Sequence, residues 1–90
     1  MRVVWSAEAR SQLHEIVRYV ARFDPTAARR LSARIRATVL PLTDYPSLYR
    51  EGQVPGTREL IPHPNYRVVY QVDADHVLIL SLLHVRRQYP

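Results

Sequence analysis

Cysteine is absent from the 90 residues. That excludes a disulfide scaffold, a thiolate metal site and cysteine nucleophile chemistry. Lysine is absent too, so all thirteen basic side chains are arginine. Glycine is scarce, two residues against seven prolines, which allows turns but not a fibrous or low-complexity chain. Long apolar runs are also missing. The longest is Val77–Leu80, followed after Ser81 by Leu82 and Leu83, too short for a membrane span. Arg2 leads straight into Val-Val-Trp and then polar residues, which is not a signal-peptide pattern. The expectation is a soluble, cytoplasmic protein with no membrane association.

What is present argues for packing. Apolar residues make up 47% of the chain and there are six tyrosines, a composition that favours a core over disorder. Residues 1–90 are read as a single domain. A domain this small buries only about 60 to 65% of its unfolded surface, so its margin of stability is thin. Thirteen arginines against eight acids leave a net charge of +5. One reading is codon usage in a GC-rich genome. The other is an acidic partner, nucleic acid or protein, gripped by guanidinium forks. Residues 1–45 hold eight arginines against four acids and residues 46–90 hold five against four, so charge alone does not locate a working surface.

Along the chain, Arg2-Val3-Val4-Trp5 is β-prone and Ser6 can cap the helix behind it, with Glu8 in the first turn. Leu13, Ile16, Val17 and Val20 form one apolar stripe, and the helix should end near Phe23. Asp24-Pro25 is a second start signal, a cap with proline at the first helical position. Ala28, Leu31, Ile35, Val39 and Leu42 make the second stripe, and Pro41 predicts that regular helix fails near Leu40–Leu42. The short connection forces an antiparallel helical hairpin. Residues 43–57 read as a loop. Thr57–Ile61 reads as a strand, Pro62-His63-Pro64-Asn65 as a turn and Tyr66–Val72 as a second strand. Asp73-Ala74-Asp75 closes a hairpin, and Val77–Leu83 is apolar on both faces like a central strand. The fold class is therefore α+β. An N-terminal strand and a two-helix hairpin pack on one face of a mainly antiparallel four-stranded sheet, in the order β-α-α-β-β-β. The first strand should pair with Val77–Leu83, and the other three should form a meander. Val68, Tyr70 and Val72 should face the helices.

Arg58 and Arg67 draw attention next. Alternation puts Arg67 on the opposite face, with Val69 and Gln71. It is a solvated side chain, or a partner of Glu59 on the neighbouring strand, or an anion-binding or transition-state-stabilising arginine at the sheet centre. His84, Arg86 and Arg87 follow an apolar strand directly, with Tyr89 two residues on. They form either a basic tail or a group suited to acid–base chemistry on a phosphodiester. His14, His63, His76 and His84 are scattered over four elements without carboxylates at ligand spacing, so no metal site is expected. Asp73 and Asp75 are turn formers. With neither a phosphate-cradling glycine loop nor paired carboxylates, no cofactor is expected.

Ser6-Ala7-Glu8-Ala9, the helix pair, Gly56-Thr57-Arg58-Glu59-Leu60, Tyr66-Arg67-Val68-Val69-Tyr70 and Leu83-His84-Val85-Arg86-Arg87 occur in an order that resembles the RelE/ParE superfamily of bacterial type II toxin–antitoxin toxins. The resemblance covers essentially the whole chain. It implies a growth-inhibiting toxin neutralised by a cognate antitoxin whose acidic, partly disordered C-terminal segment wraps it. That segment is expected to fold on binding, as a helix over the hairpin or a strand at the sheet edge near Thr57–Ile61. Operator DNA would be contacted only indirectly, through the antitoxin. Two activities divide the superfamily. RelE-like members cleave mRNA in the ribosomal A site, and for that activity the matching catalytic positions are Arg58, Arg67, His84, Arg87 and Tyr89, with Arg86 an alternative to Arg87. ParE-like members inhibit DNA gyrase without hydrolysing a substrate. The missing lysines and the long hairpin favour the ParE-like reading, with the RelE-like mRNA interferase as alternative. A third class, an inert binder, would show Arg67 and Arg87 satisfied by Glu59 or the turn aspartates.

Overall fold

The computed structural model describes residues 1–86. Its elements are β1 (Arg2–Trp5), α1 (Ala7–Ala21), α2 (Pro25–Val39), a 3-10 turn over Leu40–Thr43, β2 (Arg50–Glu51), β3 (Arg58–His63), β4 (Tyr66–Val72) and β5 (His76–His84). The strands form one sheet in the order β1-β5-β4-β3-β2. β1 runs parallel to β5 and the remaining pairs are antiparallel, so the expected β-α-α-β-β-β order and meander are present. A fifth strand joins them: β2, two residues long and paired with Arg58 and Glu59. It covers part of the edge at Thr57–Ile61 that was expected to be open. β3 also runs further than expected. It passes through Pro62 at a register shift between Leu60 and His63, a place where a missing N–H breaks no ladder bond.

The local signals act as their chemistry requires. The Ser6 hydroxyl accepts from the Ala9 N–H at 3.0 Å, and the Asp24 carboxylate accepts from the Ala27 N–H at 3.0 Å. Pro25 opens α2, and regular helix ends at Val39, two residues before Pro41. Leu13, Leu31, Ile35, Val39 and Leu42 join Leu60, Val68, Tyr70, Val77, Ile79 and Leu82 in one core. Val72 departs from expectation at 36% exposed, because it lies at the end of β4. Val69 departs the other way. It faces away from the helices yet is fully buried.

β5 carries a bulge. Val69 pairs with Ser81 while Tyr70 pairs with Ile79, so Leu80 is the extra residue. β1 reaches only as far as Ile79, leaving the rest of that edge to be satisfied by α1 and its cap. The Ser6 N–H donates to the Ile79 carbonyl at 2.9 Å and its hydroxyl to the Leu80 carbonyl at 3.0 Å. Nearly two turns on, Gln12 Oε1 accepts from the Leu82 N–H at 2.7 Å. These three bonds fix α1 against the sheet.

Ile35 is fully buried between the hairpin and the sheet. Ile35→Ala should cost about 2 to 5 kcal/mol of unfolding free energy, read from the midpoint of urea denaturation.

Candidate functional site

The sheet arginines do not share a face. Arg58 pairs with Tyr70 in register, so both side chains lie on the helix side of the sheet. Arg58 Nη1 donates to the Tyr49 carbonyl at 2.7 Å, and the Tyr70 hydroxyl donates to the Pro46 carbonyl at 3.1 Å. Together they tie down the segment that leads into β2. Burial pushes the Tyr70 phenol above the usual tyrosine value of 10.0, and the Arg58 charge pulls against that rise.

Arg67 lies on the other face, three residues before Tyr70 along β4. Its side chain is only 10% exposed, and its Nη1 stands 3.7 Å from Glu59 Oε1, itself 4% exposed. The two residues are diagonal neighbours across β3 and β4. The second Glu59 oxygen accepts from the Gln53 N–H at 3.0 Å, drawing the loop between β2 and β3 over this face. Both glycines serve that loop. A Cβ on Gly52 would collide with the Thr57 hydroxyl, and Gly56 has a φ of 83°. Arg67 is therefore not a solvated side chain, and the pair with Glu59 is present and buried.

His84 is exposed at the end of β5 and pairs with Tyr66 in register. Tyr66 pairs in turn with His63 on β3. The ring centroids are 5.5 Å apart from His63 to Tyr66 and 5.7 Å from Tyr66 to His84, so three strands contribute an aromatic row. His63 Nδ1 accepts from the Asn65 N–H and His84 Nδ1 from the Arg86 N–H, each at 3.1 Å. Each neutral imidazole therefore carries its proton on Nε2. A groove of about 470 Å³ runs beside the row, lined by Ile16, Tyr19, Leu82 and His84. The sequence reading missed His63 and Tyr66. The available signal was the shared position of all three rings next to a turn or strand end, but the register that aligns them depends on the shift in β3.

Arg58, Arg67 and His84 thus occupy three separate surroundings rather than one cleft. Arg87 and Tyr89 lie outside the described residues. Arg86 is exposed. At the turn between β4 and β5, His76 sits 3.1 Å from Asp73 and 2.8 Å from Asp75, and the imidazole holds the Asp75 carboxyl below its usual range. Among the described residues, no cluster of three or more histidine or acidic side chains is arranged to hold a metal ion.

Comparison with known proteins gives the class, a toxin of the RelE/ParE superfamily. Residues 3–89 match the model for the ParE toxin of the type II toxin–antitoxin system parDE, and the chain belongs to that family. It is 38% identical over 90 residues to the putative toxin Y4kP of Sinorhizobium fredii, spanning 99% of this chain and 93% of that protein. It is 33% identical over 85 residues to Toxin RelE2 of Caulobacter vibrioides, spanning 94% and 96%. Among solved structures, the chromosomal ParDE system of P. aeruginosa aligns with a TM-score of 0.84 at 23% identity, covering 96% of this chain and 97% of that one. The YoeB dimer of Staphylococcus aureus aligns at 0.63 and 18% identity, covering 99% and 98%. These structures share the fold. As a type II toxin, the chain has a cognate antitoxin as its partner. Among the described residues, no helix is long and apolar enough to cross a membrane.

Removing Arg67 would leave the Glu59 carboxylate buried without its counter-charge. Arg67→Ala should therefore lower unfolding stability by about 3 to 5 kcal/mol in chemical denaturation. Tyr70 sets a second expectation. Its folded phenol holds its proton more tightly than the unfolded one, so its contribution is fully present below about pH 10 and is lost as pH rises further. Thermal melts should show that alkaline fall, and Tyr70→Phe should flatten it while costing about 1 kcal/mol at neutral pH for the lost hydroxyl bond.

Proposed function

We propose that the chain arrests growth by binding DNA gyrase and blocking its supercoiling cycle, without hydrolysing a substrate. The match of residues 3–89 to the ParE toxin family supports this reading, and the pairing of Arg67 with Glu59, which a gyrase inhibitor would share with an inert binder, weighs against a nuclease. A guanidinium that is buried and ion-paired can reach a scissile phosphate only by abandoning a buried carboxylate, which is costly. Arg58 is similarly engaged with the Tyr49 carbonyl, on the opposite face of the sheet. Arginine is also a poor proton donor or acceptor, so these residues offer phosphate affinity without acid–base chemistry.

The hairpin supports a binding role. Arg10, Arg18, Arg22, Arg29, Arg30, Arg34 and Arg36 face only Glu8, Glu15 and Asp24 in residues 7–39, so +4 of the chain's +5 resides there. The part of that surface carrying Arg18, Arg22, Arg29, Arg30 and Arg34 suits an acidic antitoxin segment that folds as it docks, with operator DNA reached through the antitoxin alone. A second reading, ribosome-dependent mRNA cleavage, draws on the exposure of His84 beside Tyr66 and on the likeness to Toxin RelE2.

Purified wild-type chain should inhibit supercoiling by gyrase and leave mRNA intact in a reconstituted translation complex. Cleavage at the A site with supercoiling untouched would replace the lead reading by the second. Neither effect, from a chain that still binds its antitoxin, would leave an inert binder.

A further inference from the structure

Trp5 is the sole tryptophan of the chain, and it forms a wall of a cleft of about 410 Å³ between β1 and the helical hairpin. From α1 come Arg10, His14 and Val17, and from α2 come Ser32 and Arg36. Each pair at a spacing of four, Arg10 with His14 and Ser32 with Arg36, stacks on one helix face. The antiparallel hairpin sets the two faces on either side of the cleft. The Arg36 guanidinium lies 5.8 Å from the Trp5 ring centroid, and its Nε donates to the Ser32 hydroxyl at 3.4 Å. Arg36 is thereby held at the rim with most of its donors unused. No carboxylate lines the cleft, and among the described residues none lies within ion-pair distance of Arg10 or Arg36.

We propose that this cleft binds a nucleotide, with its phosphate held by Arg10, Arg36 and the Ser32 hydroxyl and its base against Trp5. Indole, guanidinium and hydroxyl converge in a space within the range of small-ligand sites. A flat aromatic wall beside cationic groups is the arrangement that stacks a base while holding the adjoining phosphate. An acidic peptide would use the arginines but has no flat group to match the indole. The same chemistry serves a free mononucleotide or an unpaired nucleotide within a single strand. None of these residues belongs to the Arg67 face or to the aromatic row, so the proposal is independent of which target the toxin arrests.

Trp5 emission reports binding directly. The full-length chain is titrated with AMP, with a 5′-phosphorylated single-stranded tetranucleotide, with inorganic phosphate and with a short Glu-Leu peptide. A saturable change with AMP is expected if the source is a free nucleotide, and with the tetranucleotide alone if it is a strand. Arg10→Ala should weaken binding by about tenfold or more, the loss typical of a charge-assisted phosphate contact. Arg36→Ala should do the same by calorimetry, which avoids its direct effect on the indole. Both side chains are exposed, so the fold should survive each change, checked by circular dichroism. The proposal is overturned by no saturation with either nucleotide at millimolar concentration. Binding undiminished in both variants, or inorganic phosphate or the peptide binding as tightly as AMP, would overturn it equally.

Discussion

β5 must be paired along both edges, and β1 is too short to do it. Four residues of β1 satisfy the strand as far as Ile79, and the bulge at Leu80 then turns the remaining edge toward α1. Ser6 answers the Ile79 and Leu80 carbonyls, and Gln12 answers the Leu82 N–H. Buried backbone groups left unpaired are expensive, so the helix is fixed by the need to complete the strand. Ser6 is used twice, since the same hydroxyl caps α1 through the Ala9 N–H. Helix start, bulge and sheet edge are therefore one constraint. α2 follows through the three-residue link at 22–24 and carries Ile35 and Leu31 onto the sheet.

Most of this was legible where the signal is local. Ser6, Asp24-Pro25 and Pro41 act within a turn of themselves, and the two apolar stripes repeat along their own helices. The pairing of β1 with β5 was legible because only a doubly apolar strand belongs at the centre of such a sheet. What escaped was set by register. β2 consists of Arg50 and Glu51, two charged residues with no β signature, held because the backbone of Gly52 bonds back to Thr57. The burial of Val69 and the depth of the Arg67–Glu59 pair depend on the loop that Gln53 anchors over the second face. The aromatic row needs the shift in β3 to bring His63 level with Tyr66.

The same distinction governs the candidate site. Arg58, Arg67 and His84 stand close in motif order, and alternation plus register send them to separate surroundings. Arg58 braces the segment before β2, Arg67 neutralises a buried carboxylate and His84 closes an aromatic row. A side chain that satisfies the fold is poorly free to follow developing charge on a substrate. On the outer surface the reverse holds. The hairpin arginines make no ion pairs among the described residues and give the chain most of its net charge. Arg58, Glu59 and Arg67 are engaged within the sheet, whereas the hairpin arginines stand exposed.

The proposed function turns on Arg67 serving the fold and not a reaction. Neutralising the pair, Glu59→Gln together with Arg67→Met, tests it most directly, because the glutamine keeps an acceptor for the Gln53 N–H, with growth arrest on induction as the readout and circular dichroism of the purified chain as the control. A structural role predicts that Arg67→Met alone destabilises the fold and that the double change recovers both fold and arrest. A double variant that folds like the wild type and no longer arrests growth would contradict the account and assign Arg67 to the toxic chemistry.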